Sequence, residues 1–101
     1  MFSSKVYNIS MIEIKGTDIY RSGIKIGWVS GQHVYDNTGR IRGYFSNDTV
    51  YDEQTRILAR VEGDYAYAGG RKIELEQILR NVEGVGVSDI GKVAISTFLG
   101  D

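Results

Sequence analysis

The sequence predicts a mainly β protein with four tandem β-hairpins around a pseudo-fourfold axis and a short C-terminal helical segment capping one end. Three observations predict this class. Thirteen of the 101 residues are glycine and none is proline, which suits two-residue hairpin turns that need a positive φ. Seven residues are tyrosine, which has a high β propensity. A tyrosine-centred pattern also recurs about every 16 residues.

Each repeating unit contains an apolar residue, a polar residue, a turn residue and, four positions after the turn residue, a tyrosine. The tyrosines are Tyr20, Tyr35, Tyr51 and Tyr67. The turn residues are Gly16, Gly31, Asn47 and Gly63. Because glycine and asparagine tolerate the φ that a tight turn requires, each unit predicts one hairpin. The predicted hairpins cover residues 10–21, 24–36, 40–52 and 56–68, and a further strand begins at residues 71–73.

A column of small residues predicts how the hairpins meet. Its members are Gly27, Gly43 and Ala59. An isolated hairpin buries too little apolar surface to be stable in water, so the four hairpins are expected to converge on one axis. Glycine inside a strand indicates close approach of another backbone, which fits a crowded centre. The alternative is a set of β-bulges or weak edge positions.

After Ile73 the apolar spacing becomes helical, and a first helix is expected to end near Asn81 or Gly84. Ser88 can cap a second helix. The apolar stripe of that helix comprises Ile90, Val93, Ala94, Thr97 and Phe98. Three β-branched residues leave a strand over residues 92–99 as the alternative. Residues 1–101 are therefore expected to form one domain, with hairpin repeats over about 10–75 and a core-packed helical cap over about 75–99.

The second unit, residues 34–45, reads VYDNTGRIRGYF and resembles the repeated motif of the four-fold β-flower family. Similar units extend over about residues 12–75. The third unit has Thr55 and Ala59 where the motif has glycine, and the first and fourth have Arg21 and Ala68 where it has aspartate. The resemblance implies the β-flower fold and a small bacterial protein of unassigned function. It supplies no catalytic residue.

The composition limits the classes of function. The chain has no cysteine, one histidine and a net charge of −1, which excludes disulfides, thiolate zinc sites and multi-histidine metal centres. A nucleic-acid partner is not expected without a basic excess. No apolar run reaches the length of a membrane span and the start lacks a signal-peptide pattern, so we expect a cytoplasmic protein without a membrane partner. Neither a metal nor a cofactor is expected.

The residues that could perform catalysis have simpler explanations. His33 corresponds to Asp18, Thr49 and Tyr65 in the other units, so it occupies an ordinary polar strand position and an enzyme is not expected. Asp36 and Asp52 could form an acid–base pair, but hydrogen bonding within turns explains both. The repeated tyrosines could form a stacking platform for bases or sugars, or they could pack in the core or between hairpins.

Two classes of function remain. The first is a non-enzymatic structural or protein-interaction module, which could also self-associate, through hairpin edges or exposed aromatic side chains such as Trp28 and Tyr44. The second is a small binding protein for a phosphate or carboxylate. Its ligand-binding residues would be Arg40, Arg56 and Arg71, which follow the turns between hairpins and would line one mouth if those turns converge. The alternative is exposed ion pairs with Asp36, Asp52 and Glu53, each worth under ~1 kcal/mol.

Overall fold

A computed structural model describes residues 11–100, which form a long β-meander followed by two helices. The strands are β1 (Ile12–Lys15), β2 (Asp18–Arg21), β3 (Ile24–Ser30), β4 (His33–Asp36), β5 (Ile41–Ser46), β6 (Thr49–Asp52), β7 (Ile57–Glu62), β8 (Tyr65–Ala68), β9 (Arg71–Glu74) and β10 (Val82–Glu83). The helices are α1 (Leu75–Asn81) and α2 (Asp89–Leu99). Residue 10, where the first predicted hairpin begins, lies outside the described residues.

The four predicted hairpins are confirmed as β1–β2, β3–β4, β5–β6 and β7–β8. Each is closed by its predicted turn residue with φ between 55° and 66°, at Gly16, Gly31, Asn47 and Gly63. All strands from β1 to β9 pair in chain order, and β10 pairs in parallel with β1. The two edges of the sheet are therefore β9 and β10. Helix α1 lies between them in the chain and contacts both.

The predicted C-terminal helices are confirmed, and α2 packs against the inner side of the hairpins. It contacts β4, β5, β6, β7 and β10, as well as α1. One apolar core joins the sheet to this helix; its buried members are Ile12, Ile14, Ile19, Val29, Val34, Phe45, Val50, Ala59, Val82, Val93, Ala94 and Ile95. Because both sheet and helix supply this core, α2 is an integral part of the fold.

Residues 92–99 are helical, so the alternative of a strand is wrong. Ser88 is the N-cap, as predicted, and its Oγ accepts a hydrogen bond from the Gly91 N–H at 3.2 Å. The predicted stripe needs correction at two positions, because Ile95 is fully buried and Thr97 is exposed. Since α2 packs against the sheet and also against α1, its buried surface is wider than a single stripe.

The small-residue column is buried and also lies beside β-bulges. In β3, β5 and β7 the residue just before the small one has no partner in the preceding strand, so it is the extra residue of a β-bulge. These extra residues are Ile26, Arg42 and Leu58. A Cβ on Gly27 would overlap the Tyr35 carbonyl oxygen and lie 3.0 Å from Leu99 Cδ1. A Cβ on Gly43 would overlap the Tyr51 carbonyl oxygen and the Phe98 ring. The two glycines therefore make room for the next strand and for the last turn of α2.

Candidate functional site: an aromatic face and an arginine-lined cleft

The repeated tyrosines lie on the outer face of the sheet. Each directly follows a fully buried residue, at Ile19, Val34, Val50 and Ala66, and successive side chains of a strand point to opposite faces. The expectation that these tyrosines pack in the core is therefore wrong. Tyr35 lies opposite Ile41, and Tyr51 lies opposite Ile57, where adjacent hairpins join. Both tyrosines thus lie on the outer side of the junctions between hairpins. The other predicted possibility, that the tyrosines pack between hairpins, therefore holds for these two.

Aromatic side chains of the second and third hairpins form stacked pairs on this outer face. Trp28 and Tyr35 are 5.3 Å apart between ring centroids with planes 9° apart, and Tyr44 and Tyr51 are 4.9 Å apart with planes 17° apart. The His33 ring lies 5.8 Å from that of Tyr44. The predicted interaction residues Trp28 and Tyr44 are half-buried rather than exposed, and they belong to one surface that joins two hairpins.

Two exposed isoleucines extend this surface. Ile41 is 38% exposed and Ile57 is 60% exposed. The bulges at Arg42 and Leu58 place them opposite Tyr35 and Tyr51. We call the surface formed by these side chains the aromatic face; its members are Trp28, His33, Tyr35, Ile41, Tyr44, Tyr51 and Ile57. Isolated exposed apolar residues are ordinary on proteins, whereas large contiguous groups often mark binding surfaces.

The ring planes of Trp28 and Tyr44 are already covered by neighbours. Trp28 stacks on Tyr35 from β4, and Lys25 Nζ lies over its ring at 5.2 Å while pairing with Asp18 on the β2 side. Tyr44 lies between Tyr51 and His33. A base or sugar would need a free ring face to stack upon, so this geometry disfavours a stacking platform.

The three predicted ligand-binding arginines do not share one mouth. Arg40 and Arg56 line a cleft of about 420 Å³ between the second and third inter-hairpin turns and the end of α2. Arg71 lines a separate cavity of about 440 Å³ with Asn81 and Ser96. The reason is that Arg71 begins the edge strand β9, against which α1 packs. Its turn therefore faces the helices rather than the other turns.

The alternative of exposed ion pairs is confirmed at Arg40 and Arg56. Arg40 Nη2 lies 3.1 Å from Glu53 Oε1, and Arg56 Nε lies 2.8 Å from Asp52 Oδ2. Both guanidinium groups are exposed to solvent. Such pairs contribute little to stability, because water screens the attraction and the long side chains lose freedom.

Asp36 and Asp52 are turn residues in the structure, as one explanation predicted. Asp36 Oδ1 accepts hydrogen bonds from the Thr38 hydroxyl at 2.5 Å and from the N–H groups of Thr38 and Arg40 at 2.9 and 3.1 Å. The Thr38 hydroxyl, followed by these N–H groups and the Arg42 charge, holds the pKa of Asp36 below its usual value. The Arg56 N–H is the chief cause of the lowered pKa of Asp52. Carboxylates fixed as anions in this way are poorly suited to exchange protons.

Sequence reasoning missed Arg42, which lines the same cleft as Arg40 and Arg56. Arg42 is the extra residue of the bulge in β5, and the corresponding residues Ile26 and Leu58 pack against the core. An arginine in an otherwise aliphatic column of the repeat was the signal that could have revealed it. No group of histidine, aspartate and glutamate residues suited to a metal ion occurs within residues 11–100. Neither helix of that segment is long and apolar enough to cross a membrane.

Tandem hairpins joined in one meander, with a helix packed on their inner side, define a hairpin-repeat protein of the flower type. A family model described as "4-fold beta flower protein" matches residues 2–85. The chain therefore belongs to the four-fold β-flower family, as the repeat motif predicted. The match ends before α2. No curated protein and no solved structure matches the chain.

Proposed function

We propose that the protein is a non-enzymatic interaction module that binds a protein partner, or a second copy of itself, through the aromatic face. The observation that carries the proposal is the exposure of Ile41 and Ile57 beside stacked aromatic pairs. Their apolar surface contacts water in the isolated chain, and covering it releases that water at a gain of about 25 cal/mol per Å². The gain is available on the outer face because the inner face already packs against α2.

The residue types of the aromatic face support a protein partner. Tyrosine and tryptophan are enriched at protein interfaces, where they combine large contact area with a polar group. Both ring planes of Trp28 and Tyr44 have neighbours, so their edges and polar groups are what a partner can reach. That arrangement suits an irregular protein surface better than a flat ligand.

The charged residues beside the aromatic face support a partner without strong net charge. Lys25 pairs with Asp18 at 3.0 Å on one side, and Arg60 pairs with Glu62 at 3.2 Å on the other. These margins carry balanced charges that already neutralise each other. A polar rim of this kind around an apolar centre is typical of protein interfaces, whereas a polyanion would require unpaired positive charge.

Photo-crosslinking in cells of the source organism tests this proposal. Benzoylphenylalanine placed at Tyr44 or at Ile57 should capture the same protein, and its mass distinguishes another protein from a second copy. The control position is Ile24, an isoleucine that is 67% exposed but lies outside the aromatic face. Capture of one protein from both test positions and not from the control is the expected result. The same adducts from all three positions would contradict the proposal.

Lysine substitutions then measure the contribution of the face to binding. Ile41→Lys and Ile57→Lys reproduce the lysine that the third strand carries at Lys25, so the strands should tolerate them. Each is expected to weaken binding of the captured partner about tenfold or more, because lysine places a charge in an apolar contact. Ile24→Lys is the matched control and should leave affinity unchanged. Equal losses in all three variants would assign the effect to charge alone and overturn the proposal.

A further inference from the structure

The cleft between the second and third inter-hairpin turns is large enough to hold a small molecule. Its volume is about 420 Å³, near the lower end of the range for ligand pockets. Leu58 and Phe98 supply apolar surface, and Gln54 and Thr97 supply polar groups beside it. The cleft lies apart from the aromatic face, so an inference about it is independent of the proposed function.

Arg42 distinguishes this cleft from an ordinary group of exposed ion pairs. A β-bulge can redirect a side chain, and bulges are frequent beside functional sites. At the same position of the repeat, Ile26 and Leu58 are partly buried against the core, and Leu58 also lines the cleft, whereas Arg42 is exposed there. Within residues 11–100 its guanidinium forms no ion pair, although Arg40 and Arg56 do. Among the described residues its five N–H donors therefore have no carboxylate partner, and their fork geometry matches a carboxylate.

The charges of the cleft restrict the ligand to one negative charge. Three arginines, at positions 40, 42 and 56, face three carboxylates, at positions 36, 52 and 53. Asp36 and Asp52 accept backbone hydrogen bonds, and Glu53 pairs with Arg40. Their charges would repel a multiply charged anion. The Arg42 charge acts on the Asp36 carboxylate and lowers its pKa, but within residues 11–100 Arg42 forms no ion pair, so its guanidinium is the group that can pair with a ligand. The apolar surface of Leu58 and Phe98 favours a ligand with an apolar body.

We propose that this cleft binds a small organic monocarboxylate. The carboxylate pairs with the Arg42 guanidinium, and the apolar body lies on Leu58 and Phe98. Neither group alone suffices: an inorganic anion gains nothing from the apolar surface, and a neutral apolar molecule leaves Arg42 unpaired. A carboxylate with an aromatic or aliphatic body should therefore bind more tightly than either an inorganic anion or a neutral apolar molecule.

Amide chemical shifts of the full chain test the proposal, with phenylacetate, phenylacetamide and inorganic phosphate as probes. Phenylacetate is expected to shift amides of the turns at 36–40 and 52–56 and of Phe98, with saturation. Phenylacetamide, which has the same shape without the charge, and phosphate should bind at least tenfold more weakly. Equal binding of phenylacetate and phenylacetamide, stronger binding of phosphate, or shifts confined to another part of the chain would overturn the proposal.

Variants at Arg42 give a second test. Arg42→Leu restores the aliphatic residue of the repeat and is expected to fold with a denaturation midpoint at or above that of the wild type. It should nevertheless lose phenylacetate binding by tenfold or more. Arg71→Leu removes an exposed arginine from the other cavity and should bind phenylacetate as the wild type does. Unchanged binding in Arg42→Leu, or equal loss in Arg71→Leu, would overturn the assignment of Arg42.

Discussion

The Arg21 guanidinium donates a hydrogen bond from Nη2 to the Leu99 carbonyl oxygen at 2.6 Å. Arg21 stands where the next two units have Asp36 and Asp52, so the first unit departs from the repeat at this position. The departure has a structural reason, because the last turn of α2 ends beside the first hairpin. A cation there satisfies a terminal carbonyl and interacts favourably with the helix dipole.

Arg21→Leu is therefore expected to destabilise the protein by about 1–3 kcal/mol, because it removes a charged, partly buried hydrogen bond. Urea unfolding measures this loss, and hydrogen exchange should show that α2 amides lose protection first. Arg40→Leu is the control, since it removes an exposed ion pair worth under ~1 kcal/mol. Equal destabilisation by the two variants would show that Arg21 does not fasten the helix.

The hairpin glycines should be required for their backbone conformation, and not because a side chain there would lack space. Gly31 and Gly63 have φ of +60°, and a Cβ on either would meet no atom within 4 Å. Gly31→Val or Gly63→Val is expected to cost on the order of 1–2 kcal/mol, because a β-branched residue is strained at that φ. Ser30→Ala, beside Gly31, should be nearly silent. Equal urea midpoints for Gly31→Val and Ser30→Ala would show that the positive φ at Gly31 does not strain a valine.

Asp36 and Asp52 should make the stability of the fold depend on pH in the acidic range. Their folded pKa values lie below the ordinary value of 3.8, so their contribution is fully present above that pH. It is lost as pH falls through the folded pKa values, because the carboxylates must then be protonated. The double variant Asp36→Asn with Asp52→Asn keeps an amide oxygen for the turns, and its stability should fall less between about pH 5 and about pH 2.5. An unchanged slope would contradict this assignment.

Local chemistry made the hairpins predictable from the sequence. Gly16, Gly31, Asn47 and Gly63 each specify a turn through their own φ, and the strands between them follow. The helix over 92–99 was also predictable, because Ser88 supplies its cap. These features depend on residues close in the chain.

Features that depend on distant contacts were harder to predict. A strand alternates between two faces, but Ile19 and Tyr20 are both apolar enough for a core, so alternation alone could not place the tyrosines outside. Arg71 is equivalent to the other arginines in its position along the repeat, whereas in the structure α1 separates its turn from theirs. Arg42 stands out in the sequence as an arginine in an aliphatic column of the repeat, but only the strand pairing places it in a bulge.

Gly43 lies directly against Phe98 where the hairpin repeat meets α2, since a Cβ on Gly43 would overlap the Phe98 ring. Gly43→Ala is expected to cost ~1–3 kcal/mol by overpacking. Phe98→Leu removes part of the ring and should relieve that overlap.

A double-mutant cycle in urea tests most directly whether the hairpins converge on α2. The double variant Gly43→Ala with Phe98→Leu should be more stable than the sum of its single changes predicts, by at least ~0.5 kcal/mol. The control cycle pairs Gly27→Ala with Phe98→Leu, because Gly27 faces Leu99 instead, and a smaller coupling is expected there. Additive effects within ~0.3 kcal/mol in the Gly43 cycle would contradict the packing of α2 against Gly43.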